Sequence, residues 1–230
     1  VSDVPHARFR WVCSTPMTPT AWLLLLFAAV AAVADWYAVA VRSARLEYVA
    51  KPAVMVALIG AAVALTPADP GIVPWFVAAL ALSLVGDVAL MLPRERFVGG
   101  LVAFLLAHMA YFVGLGLQAQ SVGGVILGLL VVGTVLSTVG RRIFKAVRHG
   151  HPGLLAPVAA YMVVISAMVV AAFATGQPLA MAGATLFYAS DAMLAWNRFV
   201  APRVPRPAVL AAYHVGQALL VLSLAGPLVS

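Results

Sequence analysis

Charge is what this sequence has least of. Only 9% of its 230 residues are Asp, Glu, Lys or Arg, against about 25% in soluble domains, and 64% are hydrophobic; a water-soluble globular domain is excluded. Cysteine is nearly absent. The single residue of this type, Cys13, rules out an internal disulfide framework and a cysteine-based zinc cage. Its context, RWVCST, also lacks the small residues of a lipoprotein cleavage site, which leaves an unreactive tail thiol. There is no HExxH motif. Nor is there a basic stripe with interleaved aromatics, or a soluble domain to carry one, so the net charge of +7 does not point to nucleic acid.

What the sequence has instead is long apolar runs. A helix that spans a bilayer needs about 20 residues, with a range of roughly 17–25. Eight runs qualify, near residues 20–42, 51–67, 73–92, 97–118, 121–140, 154–175, 178–198 and 206–227, with Pro, Gly or Arg at almost every junction. The expected fold class is all-α: a polytopic membrane protein with eight transmembrane helices, forming one membrane domain over residues 20–227 behind a polar tail at 1–19. The first run is too long for a cleavable signal and lacks a small-x-small exit, and Met17 just before it is an alternative start.

Every basic residue except Arg8 and Arg10 falls in the first, third, fifth or seventh connection. Basic residues accumulate in cytoplasmic connections, so both termini are expected outside the cytoplasm of a cell-membrane protein. The excess charge then needs no partner beyond anionic membrane lipid.

Against this background two carboxylates stand out. LALSLVGDVALM places Asp87 six residues before Pro93, and ATLFYASDAMLAWNRF places Asp191 seven before Arg198. At ~1.5 Å per residue both lie roughly 9–11 Å from the cytoplasmic boundary. Superimposing Asp87 on Asp191 also aligns Leu82 with Leu186, Leu90 with Leu194 and Arg94 with Arg198. Each of these runs is followed by one carrying a histidine, His108 or His214, a pattern that suggests two parallel four-helix halves. Helical spacing of three or four residues joins Ser83 to Asp87, Tyr111 to His108, Tyr188 to Asp191, and Gln217 to Tyr213 and His214. Lys51 is expected to open the second span, and Asp35 lies in the cytoplasmic third of the first.

A charge at the membrane centre costs at least about 2.5–3.5 kcal/mol on insertion scales, more than helix packing alone would justify. The clustering of ionisable groups in the cytoplasmic half therefore points to a lipid-accessible cavity open toward that leaflet. Asp35 is assigned a structural role.

Four stretches carry a specific resemblance. KPAVMVALIG at 51–60, SLVGDVALML followed by AFLLAHMAYFVG, LFYASDAMLAWNRF, and AYHVGQALLVLS at 212–223 resemble, in order, signature blocks of the YhhN family, the lysoplasmalogenase-like membrane proteins. The resemblance covers roughly residues 20–227. It implies an eight-span hydrolase that cleaves the vinyl-ether bond of a lysoplasmalogen to a fatty aldehyde and glycerophosphocholine or glycerophosphoethanolamine. It also places the family's polar positions on Lys51, Asp87, His108, Ser190 and Asp191, and on Asn197, Tyr213, His214 and Gln217.

Vinyl-ether hydrolysis begins with protonation of the β-carbon and leaves an oxocarbenium ion that water attacks, so it needs one acid and one anion. Paired carboxyls supply both in glycoside hydrolysis. Two carboxyls close together in low dielectric cannot both ionise comfortably, so one is expected to keep a proton near neutral pH. Asp87 and Asp191 are the expected catalytic pair. Lys51 is expected to meet the substrate phosphate as a point charge, with His108, Tyr111, Ser190, Asn197, Tyr213, His214 and Gln217 contributing to substrate binding. No cofactor and no metal are expected. The alternatives are a zinc site built from two histidines and an aspartate, and a lipid carrier or transporter in which the same carboxylates relay protons. Oligomeric state is not specified by the sequence.

Overall fold

The computed structural model describes residues 17–67, 69–92 and 96–226. The tail through residue 16, with Arg8, Arg10 and Cys13, lies outside the described residues, as do Pro93 and Arg94. The chain forms helices α1 (Pro19–Ala40), α2 (Ala44–Ala64), α3 (Val73–Met91), α4 (Phe97–Gly116), α5 (Val122–Val135), α6 (Arg141–Gly150), α7 (Leu155–Ala174), α8 (Pro178–Phe199) and α9 (Arg206–Ser223). A π-helical turn, Leu136–Gly140, joins α5 to α6, so that Val122–Gly150 is one continuous rod.

Helix starts follow local chemistry. Thr18 Oγ1 accepts from the Ala21 amide at 3.0 Å, and Ser121 Oγ accepts from the Gly124 amide at 3.0 Å; each satisfies one of the amides that a first turn leaves without a partner. Pro19, Pro74, Pro178 and Pro207 occupy first-turn positions, where no amide hydrogen is needed.

Two boundaries differ from the sequence expectation. The connection between α1 and α2 is only three residues long, closed by Arg42 in the left-handed region (φ 58°) and by the Ser43 amide bonding Ala38 O at 2.8 Å. α2 consequently begins at Ala44, and Lys51 stands two turns inside it instead of opening it. The basic segment Arg141–Arg148, expected as a connection, is helical because the π turn carries the rod onward.

Among the described residues six rods are long and apolar enough to cross a membrane: α1, α2, α3 with its short leading turn, α4, the α5–α6 rod, and α7 with its own leading turn. The chain is an integral membrane protein. α8 and α9 are not among the six; they carry Asp191, Asn197, Tyr213, His214 and Gln217. Successive contacts run α1–α2–α3–α4–α7–α8–α9 and return from α9 to α1, closing a ring, while the α5–α6 rod rests outside against α7. Small residues are buried on α1 and α2, Ala28 and Ala32 on the first and Ala57 and Ala61 on the second, whereas Leu23, Leu26, Phe27 and Val30 are exposed. This inversion suits a solvent of lipid, in which close packing of small residues drives helix association.

The closest helix approach that matters for the site is α8 on α9. A β-carbon on Gly216 would lie 2.9 Å from Gly183 O, and one on Gly183 would lie 2.9 Å from Gly216 O. Both would strike backbone, which cannot swing away. Gly216→Val is therefore expected to destabilise the fold by about 1–3 kcal/mol or more, measured as a lowered midpoint of thermal unfolding in detergent relative to an outward-facing control such as Val215→Ala.

Candidate active site

A polar cavity opens where α2, α3, α8 and α9 converge, with Phe97 and Phe104 of α4 on its wall. Its floor carries both aspartates singled out in the sequence, and their surroundings differ. On α3, Asp87 Oδ1 lies 2.9 Å from Lys51 Nζ, and Tyr213 OH donates to its Oδ2 at 2.8 Å. Both charged partners are buried. On α8, Asp191 accepts a hydrogen bond from Tyr161 OH, and its Oδ2 lies 3.5 Å from His108 Nε2.

The tautomer of His108 follows from its other nitrogen. Nδ1 lies 2.6 Å from Phe104 O, and a carbonyl only accepts, so Nδ1 carries a proton. Nε2 of a neutral ring is then a lone pair aimed at Asp191. A lone pair facing a carboxyl is satisfied when one proton sits between them. Asp87, by contrast, faces an ammonium and a phenol hydroxyl, both donors, which suit a carboxylate anion.

The two carboxyls draw their partners from different helices. Asp87 on α3 is held by α2 and α9; Asp191 on α8 is held by α7 and α4. If α3 and its histidine-bearing successor α4 correspond to α8 and α9, exchanging the halves maps the first set of helices onto the second.

At the mouth, Arg206 Nη2 donates to Glu47 Oε1 at 2.8 Å, with the arginine side chain 70% exposed. The Arg198 guanidinium lies 4.4 Å from the centre of the Phe97 ring. The other expected binding residues divide. Ser190 and Asn197 reach the cavity wall, yet both are engaged in structure: Ser190 Oγ donates to Val209 O at 3.0 Å, and Asn197 closes the α8–α9 connection through Val204 O and the amides of Arg203 and Val204. Tyr111 donates to Gln217 Oε1 at 2.5 Å and Gln217 Nε2 to Ser83 Oγ at 3.1 Å, a buried chain away from the cavity lining. The spacing-based partners Ser83–Asp87 and Tyr111–His108 therefore bond elsewhere, and Tyr188 pairs with Ser166, not Asp191. His214 turns toward α1: its Nδ1 accepts from Trp36 Nε1 at 3.1 Å, and its Nε2 lies 3.9 Å from the fully buried Asp35. His108 and His214 thus belong to separate clusters, and among the described residues no group of three His, Cys, Asp or Glu is placed to hold a metal ion.

Three residues of these clusters escaped sequence reasoning. Glu47 had a signal, its four-residue spacing from Lys51 on one helix face. Tyr161 and Trp36 had only the general tendency of a buried phenol or indole to seek a polar partner.

An apolar pocket adjoins the polar cavity and shares Leu90, Phe97, Phe104, Asp191, Leu194 and Arg198 with it. Asp191 therefore stands on the boundary between polar and apolar space.

The YhhN family model matches residues 46–224. The chain is 35% identical over 147 residues to lysoplasmalogenase TMEM86B of Homo sapiens, covering 63% of this chain and 61% of that protein. It is 36% identical over 147 residues to the Sus scrofa protein of the same name, with the same two coverages. A lysoplasmalogenase of Mycobacterium tuberculosis is 37% identical over 134 residues, 55% of this chain and 50% of that one. The chain thus spans about three fifths or less of the length of these curated relatives, and no solved structure matches it. Since the matched segment runs from the first turn of α2 into the last helix and takes in every residue that lines the polar cavity, the chain belongs to the YhhN family.

Proposed function

We propose that this protein is a lysoplasmalogenase, hydrolysing the vinyl-ether bond of a lysoplasmalogen to a fatty aldehyde and the glycerophospho-head group. The observation that carries this reading is the unequal company of the two carboxyls in one cavity: among the described residues Asp87 is paired with a lysine, whereas Asp191 is bonded to a tyrosine and faces a histidine. The names of the curated relatives point the same way.

In this mechanism Asp191, holding the proton it shares with His108, delivers it to the β-carbon of the vinyl ether. The electron pair of the C=C bond forms the new C–H bond, and the α-carbon becomes an oxocarbenium ion. Asp87, kept anionic by Lys51 and Tyr213, stabilises that cation as preorganised charge. Water adds to the α-carbon and returns a proton to Asp191. The hemiacetal then collapses: Asp191 protonates the departing glycerol oxygen as the C–O bond breaks, and the hydroxyl proton returns to Asp191, giving aldehyde and alcohol. Tyr161 fixes the orientation of Asp191.

Lys51 is placed here as the counter-ion of Asp87. The phosphate falls instead to Arg206 at the mouth, whose guanidinium suits bidentate contact. Further support comes from charge placement: the cavity is lined by Arg198 near the end of α8 and by Arg206 at the start of α9. Under the positive-inside rule this is the cytoplasmic leaflet. In the same reading all eight rods cross the bilayer as two duplicated halves, a view supported by the matching helices around the two aspartates.

The test is mass spectrometry of purified protein incubated with vinyl-ether, alkyl-ether and acyl lysophospholipids. Free aldehyde released from the vinyl-ether substrate alone is expected. Release of fatty acid from the acyl substrate, or no product from any of the three, overturns the proposal.

A further inference from the structure

The α5–α6 rod does not lie evenly against α7. Toward the start of α5 the two helices touch backbone to backbone: a β-carbon on Gly124 would collide with Phe173 O, and one on Gly128 would lie 3.1 Å from Val170 Cα. About three turns further on, at the end of the π turn, the corresponding atom on Gly140 has as its three nearest neighbours Leu136 Cδ2 at 3.1 Å and Val135 O at 3.6 Å from its own rod and, from α7, the tip of a side chain, Met162 Cε, at 3.1 Å. The helices have separated by the length of a methionine. Within the π turn, Ser137 and Thr138 hydroxyls bond to Thr134 O at 3.0 and 2.7 Å, taking up a carbonyl in the distorted ladder. The widening leaves the apolar pocket that adjoins the polar cavity. Val139 and Ile143 wall it on one side, Met162 and Ile165 on the other, and Tyr161 and Asp191 stand at its junction with the polar cavity.

We propose that this wedge holds the hydrocarbon chain of the lysolipid substrate and that Val139 and Met162 set the chain length it accepts. The proposal rests on the hydrolase reading for the identity of the occupant. In a vinyl ether the reacting double bond is the first carbon pair of the chain, so the acid that protonates it must stand where the chain begins. Asp191 does, with polar space for the head on one side and apolar space for the chain on the other. The π turn is then what makes the site: a regular helix continuing the close contact of Gly124 and Gly128 would leave no room.

The experiment uses the full chain in lipid nanodiscs, with Val139→Phe narrowing the wedge and Met162→Ala enlarging it. Hydrolysis is measured as kcat/KM for alkenyl lysophospholipids of 10, 14 and 18 carbons, probe lengths of about 10 to 18 methylene-sized units. Equilibrium binding of the matching alkyl-ether lysolipids, which carry no vinyl bond, is measured in parallel. Val139→Phe is expected to lower the ratio of long-chain to short-chain kcat/KM by roughly fourfold for each methylene excluded, and Met162→Ala to raise that ratio. Alkyl-ether binding should shift in the same directions. Folded variants that change all chain lengths by one common factor, or not at all, in both measurements would overturn the proposal. If aldehyde is never released but binding still shifts with chain length, the wedge stands as a lipid-chain site and the hydrolase reading is what fails.

Discussion

Asp191→Asn is expected to lower kcat on a vinyl-ether lysolipid by roughly 10²–10⁴-fold, the contribution of a positioned general acid, with little change in KM. The amide keeps the hydrogen bond from Tyr161 but has no proton of carboxylic acidity to give, so the loss falls on the transition state alone. Asp87→Asn is expected to cost about 10²–10³-fold, comparable to removing one preorganised group from an oxyanion-type site. Because the two act on successive faces of one event, the double variant should be little slower than Asp191→Asn. Carbon protonation as the slow step would also reduce turnover in deuterium oxide. Near-normal kcat in folded Asp191→Asn removes the protein's acid from the mechanism, and multiplicative losses in the double variant separate the two carboxyls into independent roles.

Lys51→Met is expected to show its largest effect in stability. It strands the Asp87 carboxylate, which is buried and keeps only Tyr213 as an identified polar partner; breaking one side of a buried ion pair costs about 3–5 kcal/mol. Removing both charges, in Lys51→Met with Asp87→Asn, should recover most of that loss because no unpaired charge remains, while activity stays low because the anion is gone. Thermal unfolding in detergent checks the first statement and aldehyde release the second. A Lys51→Met protein of normal stability with only a raised KM would return the lysine to the role assigned from sequence, that of a phosphate contact.

The second helix begins seven residues before the run expected from sequence, at Ala44 and not at Lys51, for a physical reason. Arg45, Glu47 and Lys51 lie within seven residues, and such a density of charge ordinarily belongs to a connection in water. Here it is tolerated inside a helix because Glu47 is paired with Arg206, 159 residues away in sequence, and Lys51 with Asp87. The basic stretch after Gly140 was misplaced for the opposite reason: nothing in its composition breaks a helix, and the π turn lets the rod continue. Tyr161 sits in an otherwise apolar run, LAPVAAYMVVISAMVV, which shows no polar stripe to mark its inward face.

Membrane residence, the approximate number and position of the helical rods, and the unusual cost of Asp87 and Asp191 were all determined by the sequence by itself. Each is a property summed along a local stretch of chain: transfer into lipid is set residue by residue, and a carboxyl in an apolar run is expensive wherever that run later docks. What only the tertiary structure decided is the difference between the two carboxyls. Asp87 acquired its hydroxyl donor from Tyr213, 126 residues on, and Asp191 from Tyr161, 30 residues back; α2 brought a lysine to the first and α7 brought none to the second. Which helix faces meet is a matter of packing between segments that look alike in one dimension, and that packing left one carboxyl with a counter-ion and the other beside a histidine lone pair.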